Sequence, residues 1–151
     1  MTASPTLETT SKVTRQIMYR PQTHSTLIGY LLWIFGFLGA HRFYYGKPIS
    51  GTLYFFTLGL FFIGWVVDLF LIPGMNRDAD IRFNEGEIEY NITWLLLTFL
   101  GLFGIHRMYM GKWLTGLLYL CTGGLFLLGY IYDFWTLNDQ ISLINGAERR
   151  T

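Results

Sequence analysis

Four apolar runs punctuate an otherwise polar chain, at about 26–40, 48–72, 92–105 and 113–137. A polar N-terminal tail (1–25) precedes them, a charged linker (74–91) divides them into pairs, and a polar C-terminal tail (138–151) follows. The runs have the length and uniform apolarity of helices, so the pattern predicts an all-α chain. The second run of each pair would rise about 36 Å as a straight helix, enough to cross a hydrocarbon layer of about 30 Å. The first run of each pair is only about 21 Å long. Two readings follow for it. Continued through His-Arg-Phe-Tyr-Tyr, it reaches about 28 Å, with the arginine reaching out to headgroups. Bent at Gly36 and Gly39, or at Gly101 and Gly104, it becomes a re-entrant segment. Pro73-Gly74 is expected to end the second run, and Asn91 to cap the third. A short amphipathic helix is expected near Lys12–Tyr19.

The two pairs are copies. "GAHRFYYGK" (39–47) and "GIHRMYMGK" (104–112) lie 65 positions apart, and the same offset aligns the flanks without a gap. Tyr54 meets Tyr119, Thr57 meets Thr122, Gly59 meets Gly124, Gly64 meets Gly129 and Asp68 meets Asp133. Apolar composition alone would match leucine with leucine, but it would not place Gly, His, Arg, Lys and Asp in register. The expected domains are therefore a first hairpin (26–73) and a second (92–137), joined by the linker.

Composition sharpens this picture. Of 151 residues 52% are hydrophobic, 19% aromatic and 14% charged, against about 25% charged in a soluble domain. The expected fold is an all-α integral membrane protein. Its four transmembrane helices form two tandem hairpins related by a pseudo-twofold axis along the membrane normal. Both tails and the linker then share one face, and both His-Arg turns share the other. Seven Lys and Arg on the tail side against four at the turns lean toward cytoplasmic tails. Tyr44, Tyr45, Tyr109 and Trp113 are expected at the turn-side interface. Tyr30, Trp65, Tyr90, Trp94, Tyr130, Tyr132 and Trp135 are expected toward the opposite one. A net charge of +1 gives no basic face for nucleic acid. The N-terminus shows no apolar signal-peptide core.

Asp68 in "WVVDLF" and Asp133 in "YIYDFW" are candidate intramembrane carboxylates, since a carboxylate among apolar residues needs water, protein or an ion as partner. On a straight helix Asp68 lies about 31 Å from Lys47, across the membrane from Arg42. A direct Asp68–Arg42 bridge requires a break at Gly59 or Gly64. His41, Arg42, Lys47, His106, Arg107 and Lys112 are candidate lipid- or partner-binding residues, as cationic anchors or a docking motif. Two histidines without adjoining Cys or carboxylate make no metal set, and no catalytic motif is present. No cofactor is expected. Cys121 reads as a packing residue.

These motifs resemble the TM-two domain, a family named for its two transmembrane helices. The resemblance rests on Gly36, Gly39, His41, Arg42, Phe43, Tyr44, Gly46, Lys47, Gly51, Gly64, Trp65 and Asp68. In the second copy it rests on Gly101, Gly104, His106, Arg107, Tyr109, Gly111, Lys112, Gly116, Gly129 and Asp133. Met108 and Tyr130 depart from the pattern. The resemblance implies a helix pair with a short linker, common in bacteria, with no general activity and no catalytic site. Localisation in a bacterial cytoplasmic (inner) membrane follows from it. Together these readings give a non-enzymatic membrane interaction or scaffold protein. The alternative is a small transporter or channel using Asp68 and Asp133. The expected partners are the lipid bilayer and a membrane protein or second copy of the chain.

Overall fold

A computed structural model describes residues 22–34 and 39–148; the expected helix near Lys12–Tyr19 lies outside them. The described residues form helices and connections without a strand. In the first repeat the helices are α1 (Thr26–Ile34), α2 (Ala40–Tyr44), α3 (Pro48–Phe61) and α4 (Ile63–Arg82). In the second they are α5 (Tyr90–Leu100), α6 (Ile105–Tyr109), α7 (Trp113–Phe126) and α8 (Leu128–Glu148), with a 3-10 turn at Gly101–Phe103 before α6.

The first apolar run does not continue as one helix through His-Arg. Gly39 and Gly104 sit in the left-handed region, with φ of 82° and 71°, and start α2 and α6 afresh. A Cβ on Gly39 would meet the Gly51 carbonyl oxygen at 2.6 Å. Glycine is therefore what lets α2 lie against α3. Each short helix then closes on a second left-handed glycine, Gly46 or Gly111. The Lys47 N–H bonds the Arg42 carbonyl and the Gly46 N–H bonds that of Phe43, both at 2.9 Å. This is the paired glycine closure common at helix C-termini.

The second apolar run departs most from expectation. It reverses on itself. Five successive residues, Leu58 to Phe62, have positive φ, and so do Gly123 to Leu127 in the second repeat. Thr57 Oγ1 accepts the Leu60 N–H at 3.0 Å, and Thr122 Oγ1 accepts that of Leu125 at the same distance. The axes of α7 and α8 consequently meet at 116°. Among the described residues, no single helix is long and apolar enough to cross a membrane.

Helix α4 also runs through Pro73 to Arg82, where a stop was expected. A proline in a helix leaves the carbonyl four residues earlier without its N–H. Here that carbonyl, of Leu69, accepts the Tyr30 hydroxyl from α1 at 3.2 Å. The linker thus shrinks to residues 83–89, and the C-terminal segment is helical through Glu148. Asn91 lies inside α5, with Glu89 at the cap position; its Oδ1 accepts the Tyr44 hydroxyl.

Because α3 and α4 double back, the expected turn side and tail side meet. Lys47 pairs with Asp78 at 3.4 Å, and Arg82 donates to the Gly46 carbonyl at 2.9 Å. The polar segments thus gather at the base of each hairpin, and Leu58–Ile63 and Phe126–Leu128 form its apolar tips. Tyr44 and Trp94, expected at opposite interfaces, pack edge-to-face with ring centres 5.9 Å apart. Both belong to one core, with Leu32, Tyr45, Ile72, Tyr90 and Ile141, between the repeats. Asn138 locks that core. Its amide donates to the Phe43 and Tyr44 carbonyls at 3.2 and 2.8 Å and accepts from Trp94 Nε1 at 2.6 Å. Residues preceding each first helix are gripped alike. Asp80 accepts the His24 N–H at 2.9 Å, and Asn145, at the same repeat position, accepts that of Ile88 at 3.1 Å.

Two glycines and a buried histidine test this backbone and its packing. A Gly104→Ala chain should lose more than about 2 kcal/mol, from left-handed strain and contact with the Gly116 carbonyl oxygen. Gly74→Ala, at an open helical position, should gain about 0.5–1 kcal/mol. Unfolding in detergent micelles measures both. Burial among Tyr44, Phe83 and Tyr90 pushes the His24 imidazole down from 6.5 to about 4. The folded chain therefore favours the neutral ring. That contribution is complete above pH 6.5 and is lost as pH falls toward 4, on the order of 3 kcal/mol. Melting temperatures across this range should fall for the wild type and flatten for His24→Gln.

Candidate functional site

Each repeat holds a buried ionic cluster beneath its hairpin tip. His41 and Arg42 come from α2 and Asp68 from α4, with α3 supplying Tyr54 between them. The left-handed turn carries Asp68 back to the level of α2. Asp68 and His41 are both fully buried, and Arg42 retains 15% of its side-chain exposure. Asp68 Oδ2 accepts His41 Nε2–H at 2.6 Å and Arg42 Nε–H at 2.7 Å; Oδ1 accepts Arg42 Nη2–H at 2.5 Å. The guanidinium thus grips the carboxylate through two parallel bonds. Its Nη2 also donates to the Tyr54 hydroxyl at 2.8 Å, and its carbon lies 4.0 Å from the centre of that ring.

The second repeat rebuilds the cluster with His106, Arg107 and Asp133. The corresponding carboxylate bonds are 2.8, 2.8 and 2.5 Å, and the guanidinium carbon sits 4.3 Å from the centre of the Tyr119 ring. One addition distinguishes it. Gln140 donates to Asp133 Oδ1 at 3.2 Å and accepts from Lys112. The matching position in the first repeat is Met75, and Lys47 turns instead to Asp78.

The expected location of the carboxylates, across the membrane from the His-Arg turns, is thereby corrected. Asp68 meets His41 and Arg42 directly, and Asp133 meets His106 and Arg107. The break that such a bridge requires lies at Leu58–Phe62, around Gly59. Lys47 and Lys112 stand outside both carboxylate contacts. Tyr54 and Tyr119 escaped the assignment of candidate residues, although the repeat register matched them to each other. No such register pointed to Gln140, because its counterpart is methionine.

The chemistry available is that of a clamp. Each carboxylate oxygen already accepts a donor from its own repeat. An ionised carboxylate is an acceptor only, so the histidine presents Nε2–H to it. That leaves His41 Nδ1 and His106 Nδ1 buried without a hydrogen-bond partner. Among the described residues, no three His, Cys, Asp or Glu side chains stand close enough to share a metal ion.

The family model for the TM2 domain matches residues 22–70 and 87–135, one copy per repeat. The chain belongs to the TM2 domain family. It is a membrane protein of that class, and each matched TM2 segment contains one complete clamp. Three TM2 domain-containing proteins of Dictyostelium discoideum are similar to it. One is 52% identical over 62 residues, covering 40% of this chain and 40% of the relative. A second is 54% identical over 52 residues, covering 34% and 38%. A third is 45% identical over 74 residues, covering 48% and 42%. The matched segments thus span about two fifths of each relative. These relatives give no support to a bacterial inner membrane. No solved structure matches the chain.

Removing one partner of a buried ion pair strands the other. Asp68→Asn and Asp133→Asn should each destabilise the fold by about 3–5 kcal/mol. Replacing the whole first cluster, as His41→Leu, Arg42→Met and Asp68→Leu together, should recover most of that loss. Chemical unfolding in micelles tests the contrast. Equal losses in the single and triple variants would argue against a self-contained clamp.

Proposed function

We propose that this TM2 protein is a non-enzymatic membrane scaffold. Its two apolar hairpins seat in lipid by their tips, and its polar base carries the interactions with partners. The observation that supports this most is the combination of sealed charges and open apolar surface. Both intramembrane carboxylates are fully buried and bonded within their own repeats. Meanwhile Phe56, Phe61, Phe70, Leu114 and Phe126 are each at least 78% exposed. Exposed apolar surface on this scale marks contact with lipid or another protein. A transporter using Asp68 or Asp133 would have to break the clamp to free a carboxylate oxygen for an ion. The same holds for docking through His41 or His106, whose rings are buried.

The reading includes a topology. Helix α3 rises about 21 Å, short of a hydrocarbon layer of about 30 Å. Each second apolar run therefore enters and returns on one side. The Lys47–Asp78 contact supports this, since full crossings would set those residues on opposite faces.

Single cysteines at Lys47, Asp78 and Phe61, in a Cys121→Ser background, test it. In sealed vesicles, an impermeant thiol reagent should reach Lys47→Cys and Asp78→Cys from the same side, and Phe61→Cys from neither. Labelling of Lys47→Cys and Asp78→Cys from opposite sides would restore four full crossings. Ion flux in liposomes that disappears with Asp133→Asn, in a chain that still folds, would favour the transporter.

A further inference from the structure

The joint between the repeats is not self-complementary. The first repeat presents α2 and α3 to it, and the second presents α5 and α8. Phe43 packs against Phe134 and Trp135, with ring centres 5.8 and 6.5 Å apart. Tyr44 meets Asn91 and Trp94, and Asn138 bonds the α2 carbonyls. Toward the tips, Thr52 and Phe55 of α3 border an open groove with Tyr130 and Ile131 of α8. A two-fold joint would use one and the same surface of both repeats. A head-to-tail joint uses two different surfaces and leaves one of each free.

Both free surfaces are open and apolar. At the 65-residue offset Phe43, Thr52 and Phe55 become Met108, Leu117 and Leu120. Gly46 is covered by Phe83, whereas a Cβ on its counterpart, Gly111, would meet nothing within 4 Å among the described residues. On the other side Phe134, Trp135 and Ile131 become Leu69, Phe70 and Val66. Leu117, Leu120, Val66 and Phe70 are each at least half exposed. The α1–α4 surface is also better filled than its twin. Where the second repeat borders the groove with Thr98 and Tyr130, the first has Trp33 and Trp65. These indoles stack with ring centres 4.4 Å apart and planes 4° from parallel. Each indole N–H donates to the other residue's carbonyl, at 2.8 and 2.9 Å.

From the one-way joint and its two free, matching surfaces, we propose that a second copy of this chain docks head to tail. Its α1–α4 face, centred on Phe70, covers the α6–α7 face around Met108, so the contact between chains repeats the contact within one. Pro73 stands at the position of Asn138. The outer joint therefore lacks the amide that bonds the α2 carbonyls, rests on apolar contact, and is the weaker of the two. It begins at the polar base, where the scaffold reading places partners, and it rests on that reading.

The test is crosslinking of the full-length chain in liposomes at low protein density, in a Cys121→Ser background, with a short bifunctional thiol reagent. Phe70→Cys mixed with Met108→Cys should give dimers about fivefold or more above either variant alone, because each surface meets the other and not itself. Val66→Cys mixed with Leu120→Cys should behave in the same way, and guards against a fold disturbed by one of the first substitutions. A chain carrying both Phe70→Cys and Met108→Cys should give species beyond the dimer, since both ends of each copy are then competent. Dimers from either member of a pair alone at the level of the mixture would overturn the docking. So would mixed pairs that both stay monomeric, or an equal yield when Phe61→Cys replaces Phe70→Cys. None of these outcomes alters the sidedness of Lys47→Cys and Asp78→Cys, so the contact between copies and the scaffold topology fail separately.

Discussion

A carboxylate in an apolar interior must find a positive partner and enough donors, and this requirement organises both halves of the molecule. Asp68 and Asp133 meet it with a histidine and an arginine brought from another helix. Every larger feature serves that meeting. The left-handed glycine before each His-Arg pair lets α2 or α6 approach α3 or α7. The left-handed turn between α3 and α4, or α7 and α8, returns the aspartate to the same level. The tyrosine between them gives the guanidinium a ring to rest on. An ion pair sealed this way adds little net stability over apolar packing, because desolvation offsets the attraction. What it provides is register: a single depth at which the two arms of each hairpin match.

The turns themselves work against folding. Left-handed backbone costs about 1–2 kcal/mol for each residue with a Cβ, and the first turn holds Leu58, Leu60, Phe61 and Phe62 in that region. Part of this is offset locally, where the Thr57 and Thr122 hydroxyls accept main-chain N–H groups. The rest falls to the apolar packing the turns permit, chiefly the Trp33–Trp65 stack and the inter-repeat core. Strain in the tips and charge pairing beneath them are thus two sides of one arrangement, repeated in both halves.

Much of this was legible in the residues. The duplication, the helical class and the family follow from Gly, His, Arg, Lys and Asp recurring in register. So does the need of Asp68 for a partner. The fold-back was not legible, because "TLYFFTLGLFFIG" has the same apolar character as one straight helix or as two short ones. Periodicity carries no information where every face is hydrophobic. Pro73 misled for a different reason. The carbonyl it leaves unbonded is satisfied by Tyr30, a tertiary contact invisible in the local sequence. Tyr44 and Trp94 belong to opposite interfaces only if the spans are straight, and once the spans bend they become neighbours in the core. Asn138 gave no signal because its counterpart in the first repeat is Pro73.

Asn138 also bears on how a duplicated chain can diversify. It holds the first repeat through the main-chain oxygens of Phe43 and Tyr44, not through their side chains. Main-chain atoms are common to every amino acid, so this one contact across the seam is insensitive to the side chains at Phe43 and Tyr44. One copy can exchange indoles for smaller groups, or gain a glutamine beside its aspartate, while the union holds. A joint of this kind constrains the fold of the first repeat's turn more than its side chains.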